Sequence, residues 1–296
     1  MEQPLHFDND GVRLFGVLHE CECDSPPVAA LFCPPFAEEH KQAYRIFVEF
    51  ARSLAEAGIP SLRFDYRGTG DSDLPFTAFS PANALSDIHA AAALLRERTG
   101  AEGLALVGLR LGASLACQAA EEGLDANALV LWQPIVDGAL FYKLNIRRML
   151  VRQMMMHGKA SGATDGGEDA TIDLDGFLVK RSACEEIKAI DLSQPASQKS
   201  KGKGQKAKVT APSGEADERG PNRKSQVANR KSLPARTLLA QFAHNADVTS
   251  ELQPLVDRLT ERDTFQPFVL EPFWNRIGYV DCSEPVARSV AWLKQA

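Results

Sequence analysis

One turn in the sequence places a charged residue where a reactive group is expected. Leu104–Val107 is an apolar run of strand length, and Gly108-Leu109-Arg110-Leu111-Gly112 leads from it into a helix of small residues. The glycines permit a sharp strand-to-helix reversal that exposes the middle residue. That residue is Arg110, whose guanidinium stays protonated. It can bind a carboxylate or a phosphate through its planar fork of donors, but it cannot attack a carbonyl group.

The other groups needed for nucleophilic hydrolysis are also incomplete. In an elbow of this kind the chain order is nucleophile, then acid, then histidine. Asp247 follows a predicted strand and is the candidate acid, whereas the last histidine of the chain is His244, ahead of the last predicted strand. No general base is therefore predicted after that strand. Ser114 and Cys117, further along the elbow helix, are predicted to be packing residues.

Arg110 suggests a binding site instead. The backbone N–H groups of Phe36 and Leu111 are expected at the head of the same pocket, an arrangement that suits a small anionic ligand. Pairing of Arg110 with Glu38 or Glu39, in the loop after an earlier strand, is the structural alternative that we favour. It does not exclude binding. His40, beside this loop, is predicted to lie at the surface.

The elements that position these residues alternate along the chain. Four segments are predicted to be strands, with helical patterns between them: Val28–Cys33, Ile59–Asp65, Leu104–Val107 and Ala128–Trp132. The first and the last have the continuous apolar character of strands buried on both faces. This rhythm predicts an α/β fold with a doubly wound, mostly parallel sheet. We divide the chain into a first part of the core at 1–134, a helical cap insertion at 135–192, a basic low-complexity insertion at 193–232 and the second part of the core at 233–296. The composition of residues 193–232 predicts disorder.

Composition excludes several functional classes. The formal net charge of −6 gives no general attraction to nucleic acid, and no apolar run has the length of a membrane span. The start of the chain lacks the features of a signal peptide. Six cysteines are scattered, and Cys21-Glu22-Cys23 has no second pair of ligands, so no metal site and no cofactor are predicted. The expectation is a reduced, cytoplasmic protein without a membrane span.

Several motifs carry a family resemblance. Asp65-Tyr66-Arg67-Gly68-Thr69-Gly70-Asp71-Ser72 is similar to a turn of the serine aminopeptidase-like branch of the α/β hydrolases. Four further segments resemble the second family of exosortase A-associated hydrolases, which are encoded with bacterial exopolysaccharide and protein-sorting systems; they are Pro35–Glu39, Gly108–Gly112, Leu131–Pro134 and Pro272–Trp274. The resemblance implies an α/β-hydrolase fold with a cap, and a serine triad that Arg110 and the missing histidine interrupt.

Two functional hypotheses follow. The first is a non-catalytic or anion-binding homologue of the hydrolases, linked to exopolysaccharide and exosortase systems. The alternative is an active hydrolase of ester or amide bonds with an unorthodox site that draws on His40, His244 or Asp247.

Overall fold

In a computed structural model of the chain, residues 1–23, 25–157, 170–174, 176–194, 233–276 and 278–295 are described. Most of the basic insertion predicted to be disordered, residues 195–232, lies outside the described residues, as do residues 158–169 of the cap.

The described strands are β1 (Glu2–Asn9), β2 (Val12–His19), β3 (Val28–Cys33), β4 (Ser61–Phe64), β5 (Gly103–Leu109), β6 (Ala128–Trp132), β7 (Thr171–Leu174), β8 (Phe177–Lys180), β9 (Arg236–Ala243) and β10 (Thr264–Val269). The described α-helices are α1 (Glu38–Glu56), α2 (Pro81–Thr99), α3 (Leu111–Glu121), α4 (Gly138–His157), α5 (Arg181–Lys188), α6 (Gln253–Val256) and α7 (Ser283–Leu293).

The central sheet has the strand order β1-β2-β4-β3-β5-β6-β9-β10. Six neighbouring strands of this sheet run parallel, in the order β4-β3-β5-β6-β9-β10, and the β1–β2 hairpin adds the antiparallel edge. Because the central strands are buried on both faces, their side chains alternate between two cores. Leu31 packs with residues of α2 and α3, whereas Phe32 packs with residues of α1 and α7. The predicted mostly parallel, doubly wound sheet is confirmed.

The cap interrupts the sheet between β6 and β9. Its described elements are α4, the antiparallel β7–β8 hairpin and α5. Gly138 begins α4 so close to the end of α5 that an added Cβ would lie 1.8 Å from the carbonyl oxygen of Ile187. The cap is therefore anchored at its entry by a backbone contact that only glycine permits.

The carboxyl ends of the parallel strands form one edge of the sheet, and the candidate residues gather there. Arg110 directly follows β5, Gln133 follows β6, and Glu39 is the second residue of α1, which begins after the loop that follows β3. The strand ends are tied together, because Arg110 N–H donates to the Trp132 carbonyl and Phe242 N–H donates to Oε1 of Gln133.

Candidate functional site

The turn at Arg110 has the strained backbone of a nucleophile elbow. Arg110 has φ 53° and ψ −121°, between the last residue of β5 and the first of α3. A Cβ on Gly112 would lie 2.1 Å from the Cys33 carbonyl oxygen, and a Cβ on Gly108 would lie 2.5 Å from the Ala113 Cα. Both glycines are thus required by close backbone approach. The backbone strain of the elbow is present although the residue at its centre, Arg110, is not a nucleophile.

A second residue repeats this conformation across the site. Ala37, in the loop after β3, has φ 54° and ψ −125°. It precedes the first residue of α1 and follows Phe36, and the side chain of Phe36 packs against Phe76 and Phe79 with ring centroids 5.6 and 5.1 Å away. Leu111 is the first residue of α3, where a backbone N–H has no intrahelical acceptor. The scaffold that bears the predicted donors is therefore present on both sides of Arg110.

The Arg110 side chain is held by acceptors within the protein. Its Nε lies 3.3 Å from Oε1 of Glu39, its Nη1 donates to the Gln133 carbonyl at 3.3 Å, and Nη1 lies 3.9 Å from Oε1 of Glu251. Only 12% of the Arg110 side chain is exposed, against 6% for Glu39 and 38% for Glu251. The guanidinium is thus almost enclosed, and a buried carboxylate is its nearest anion.

Aromatic rings complete the enclosure of Arg110. Its Cζ lies 5.3 Å from the ring centroid of Trp274 and 5.7 Å from that of Phe141, which belongs to the cap helix α4. Trp274 sits in a 3₁₀ turn (Phe273–Asn275) in the loop after β10, where the sequence predicts no histidine. Both contacts have the geometry of cation–π interactions.

Burial shifts the protonation equilibrium of the Glu39 carboxyl group. Desolvation raises the pKa of its carboxyl group, and the positive charge and hydrogen bond of Arg110 oppose that rise. Its Oε2 atom is buried and has no hydrogen-bond partner among the described residues. A cavity of about 30 Å³ adjoins it, lined in part by Phe141, Asn145 and Arg148. That space holds about one water molecule, far less than the roughly 300–1,000 Å³ of a small-molecule site.

The cap is fastened over this cavity. Nη1 of Arg148 on α4 donates to Oδ1 of Asn275 at 2.9 Å, and its Nη2 donates to Oδ1 of Asn145 at 2.9 Å. Asn275 neighbours Trp274, so the residue that connects cap and core adjoins the ring that covers Arg110.

Other sequence-predicted residues lie outside this cluster. Glu38 is half-buried at the start of α1, where it pairs with Lys41 at 3.3 Å rather than with Arg110. Asp247 and His244 are exposed, and the structure gives Asp247 one hydrogen bond, in which its backbone carbonyl accepts from Nε2 of Gln241. The acidic group that approaches Arg110 from this loop is Glu251, which the sequence analysis did not single out.

Ser114 is fully buried and structural. Its hydroxyl donates to the Ile135 carbonyl at 2.8 Å and accepts from the Ile135 N–H at 2.9 Å. It therefore joins the elbow helix to the entry of the cap and is not available as a nucleophile.

His40 forms a separate pair. Its Nε2 lies 3.6 Å from Oδ1 of Asp65, and both side chains are largely buried, with 18% and 10% exposed. The sequence predicts a surface position for His40. That prediction is wrong, because His40 faces inward against Asp65, which directly follows β4.

Neither a metal centre nor a membrane span is found in the described part of the chain. No group of three His, Cys, Asp or Glu side chains there could hold a metal ion. None of the helices described has the length and apolarity to cross a membrane.

Comparisons with known proteins agree on the architecture. A family model described as serine aminopeptidase, S33, matches residues 37–163. Est1E from Butyrivibrio proteoclasticus with bound ferulic acid is similar with a TM-score of 0.60 and 14% identity, covering 98% of each chain. The fold is that of the α/β hydrolases.

Two further solved structures support this assignment. An esterase from Pyrococcus furiosus has a TM-score of 0.61 at 13% identity, covering 100% of this chain and 91% of its own. The α/β hydrolase GrgF from Penicillium has a TM-score of 0.60 at 16% identity, covering 100% of this chain and 98% of its own. No curated protein matches the sequence.

Proposed function

We propose that this α/β-hydrolase-fold protein is a non-catalytic homologue whose elbow has become a closed ion-pair site. The observation that carries the proposal is the pairing of Arg110 with the buried Glu39 beneath Trp274 and Phe141. An arginine cannot form an acyl intermediate, and the position beside it holds an indole ring rather than an imidazole. An adjoining cavity of about 30 Å³ has no room for an acyl group and its leaving group.

The carboxylates that approach Arg110 also affect how the guanidinium could bind an anion. Glu39 occupies the face of Arg110 that a carboxylate or phosphate would use, so an added anion must compete with it. The partly exposed Glu251 is the weaker of the two partners and the one that a ligand would displace. Binding of a small anion at Arg110 therefore belongs to the proposal as the functional use of this site, with the Arg110–Glu39 pair as its resting state.

The biological setting is proposed from the motifs alone. Pro35–Glu39, Gly108–Gly112, Leu131–Pro134 and Pro272–Trp274 resemble exosortase A-associated hydrolases, so we assign the protein to exopolysaccharide and protein-sorting systems. We further propose a cytoplasmic location, because none of the six cysteines, all of which lie in the described part of the chain, forms a disulfide, and four of them are buried.

Thermal unfolding tests anion binding. Phosphate and acetate should each raise the melting temperature of the wild-type protein at constant ionic strength, and Arg110→Ser should lose that rise. Arg13→Ser is the matched control, since Arg13 is 64% exposed in a surface pair with Asp73. An equal rise in Arg110→Ser would show that the anions act elsewhere.

One observation favours the alternative of an unorthodox hydrolase. His40 lies beside Asp65 in a cleft, which is how a histidine base is oriented in hydrolases. Turnover by that route requires a nucleophile other than Arg110. Loss of hydrolysis in His40→Gln, against unchanged hydrolysis in Arg110→Ser, would support the alternative.

A further inference from the structure

A second and larger cleft lies on the other side of Ala37. It has a volume of about 700 Å³, within the range of small-molecule sites. Its walls come from the first turns of α1, the Gly68–Asp71 turn and the cap residues Gly176 and Phe177. Among the described residues, Ala37 alone is shared with the small cavity at Glu39. The cleft is therefore separate from the elbow site.

One wall of the cleft is aromatic. Phe76 from the core and Phe177 from the cap hairpin lie with ring centroids 4.8 Å apart and planes tilted by 59°. Phe76 continues into a buried group of rings through Phe36 and Phe79. Both Phe76 and Phe177 are half-buried, so each keeps surface that a planar ring could cover.

The opposite wall holds the His40–Asp65 pair. The backbone N–H of Asp71 donates to Oδ2 of Asp65 at 3.1 Å, and a Cβ on Gly70 would lie 2.0 Å from the same oxygen. Asp65 is thus fixed in place by the turn, and Nε2 of His40 lies 3.6 Å from its Oδ1. Burial lowers the pKa of His40 and raises that of Asp65, while the charge of Arg63 adds to the lowering at His40. Burial thus disfavours the charged form of each group, while each charge opposes the shift of the other, and His40 offers the cleft a ring nitrogen that can hydrogen-bond a ligand.

The charges around the cleft balance. Lys41 carries one positive charge and Asp71 one negative charge, and both residues are exposed at its rim. Lys41 also lies over the Phe177 ring at 4.8 Å and pairs with Glu38 at 3.3 Å. Lys41 and Asp71 therefore offset each other, and the imidazole of His40 faces the carboxyl group of Asp65 at 3.6 Å, so that neither sign of charge dominates the lining.

We propose that this cleft binds a neutral aromatic hydroxyl compound, with its ring against Phe76 and Phe177 and its hydroxyl group on His40. The site goes beyond the proposed function, because none of its ligand-contacting residues takes part in the Arg110 cluster. A phenol matches the two features that the cleft supplies, a ring surface and one oriented hydrogen-bonding side chain.

Titration with p-cresol, followed through the histidine ring signals of the full chain by nuclear magnetic resonance, tests this proposal. The His40 signal, assigned by its loss in His40→Gln, should shift and saturate, whereas the His244 signal should not move. Toluene, which has the ring without the hydroxyl, should bind at least fivefold more weakly. Benzoate should bind no more tightly than p-cresol. Absence of a saturable shift at His40 would overturn the proposal.

Variants separate the cleft from the elbow. Phe177→Ala should weaken p-cresol binding at least fivefold, whereas Leu178→Ala, the next residue of the same strand and one that is exposed, should not. Melting curves of both variants show whether they remain folded. Arg110→Ser should bind p-cresol like the wild type, so failure at the cleft leaves the elbow account untouched. Tighter binding of methyl glucoside than of p-cresol would contradict the assignment to an aromatic ligand.

Discussion

The guanidinium of Arg110 lies against the indole of Trp274, with Cζ 5.3 Å from the ring centroid. One residue stands at the nucleophile position and the other in the loop after the last strand, where a hydrolase of this fold carries its histidine. Their contact joins two departures from a serine triad into one packed unit. The cation at the elbow position is thus covered by a ring from the loop after β10.

Arg110→Ser should lower the free energy of unfolding by about 3 kcal/mol, because it leaves Glu39 buried without its cation. Urea titration measures the change. The double variant Arg110→Ser/Glu39→Gln should recover part of the loss, since the stranded charge is then removed as well. Arg13→Ser, which breaks the exposed pair with Asp73, should cost less than about 1 kcal/mol. Equal losses in Arg110→Ser and Arg13→Ser would contradict the buried pair.

Trp274→Ala should be destabilising by about 3–5 kcal/mol, since the indole is buried between Arg110, Phe242 and Phe273. It should also widen access to Arg110, so that added phosphate raises the melting temperature of this variant by more than it raises that of the wild type. The readouts are urea titration and the rise in melting temperature with phosphate. A variant as stable as the wild type would show that the ring does not close the site.

Much of this arrangement follows from the sequence, and the rest depends on helix phase and loop path. The position of Arg110 was predictable because the Gly108–Gly112 spacing determines a turn. The choice between Glu38 and Glu39 was not, because neighbouring residues on a helix point about 100° apart and the first residue of α1 decides which faces inward. Asp247 and Glu251 lie in one loop after β9, and its path, which no pattern encodes, brings Glu251 rather than Asp247 to the guanidinium. Trp274 belongs to the Pro272–Trp274 motif, but its contact with Arg110 could not be predicted because it joins distant parts of the chain.

Ala37→Gly should stabilise the protein by about 1 kcal/mol, because alanine is strained at φ 54° and ψ −125° and glycine is not. The same change at Ala55, within α1, should be destabilising by about 1 kcal/mol. Urea titration of both variants gives the comparison. Destabilisation by Ala37→Gly would mean that the methyl group packs more favourably than the backbone is strained.

His19 should make stability depend on pH. Nε of Arg63 donates to its Nε2 at 3.0 Å. Burial and the Arg63 charge lower the pKa of His19 from 6.5 to about 4, and the opposing charge of Glu2 does not offset them. Below pH 6.5, His19 therefore binds a proton in the unfolded chain, whereas in the folded protein it binds one only when the pH falls to about 4. This contribution is fully present above pH 6.5 and is lost as the pH falls from 6.5 to 4.

Melting temperatures measured between pH 6.5 and 4 test whether His19 stabilises the protein less as the pH falls. The difference in melting temperature between the wild type and His19→Gln should shrink as the pH falls from 6.5 to 4. His244→Gln, which changes an exposed histidine, is the matched control substitution. A difference that stays constant over the whole range would show that His19 titrates normally in the folded state.

Hydrolysis of p-nitrophenyl esters and aminoacyl p-nitroanilides by the purified full chain is the most direct test of a non-catalytic elbow. Wild type and Arg110→Ser should both turn over no faster than a heat-denatured sample, because a serine at position 110 still has no histidine beside it. Turnover by Arg110→Ser, or wild-type turnover that Arg110→Ala or Asp247→Ala abolishes, would contradict the account.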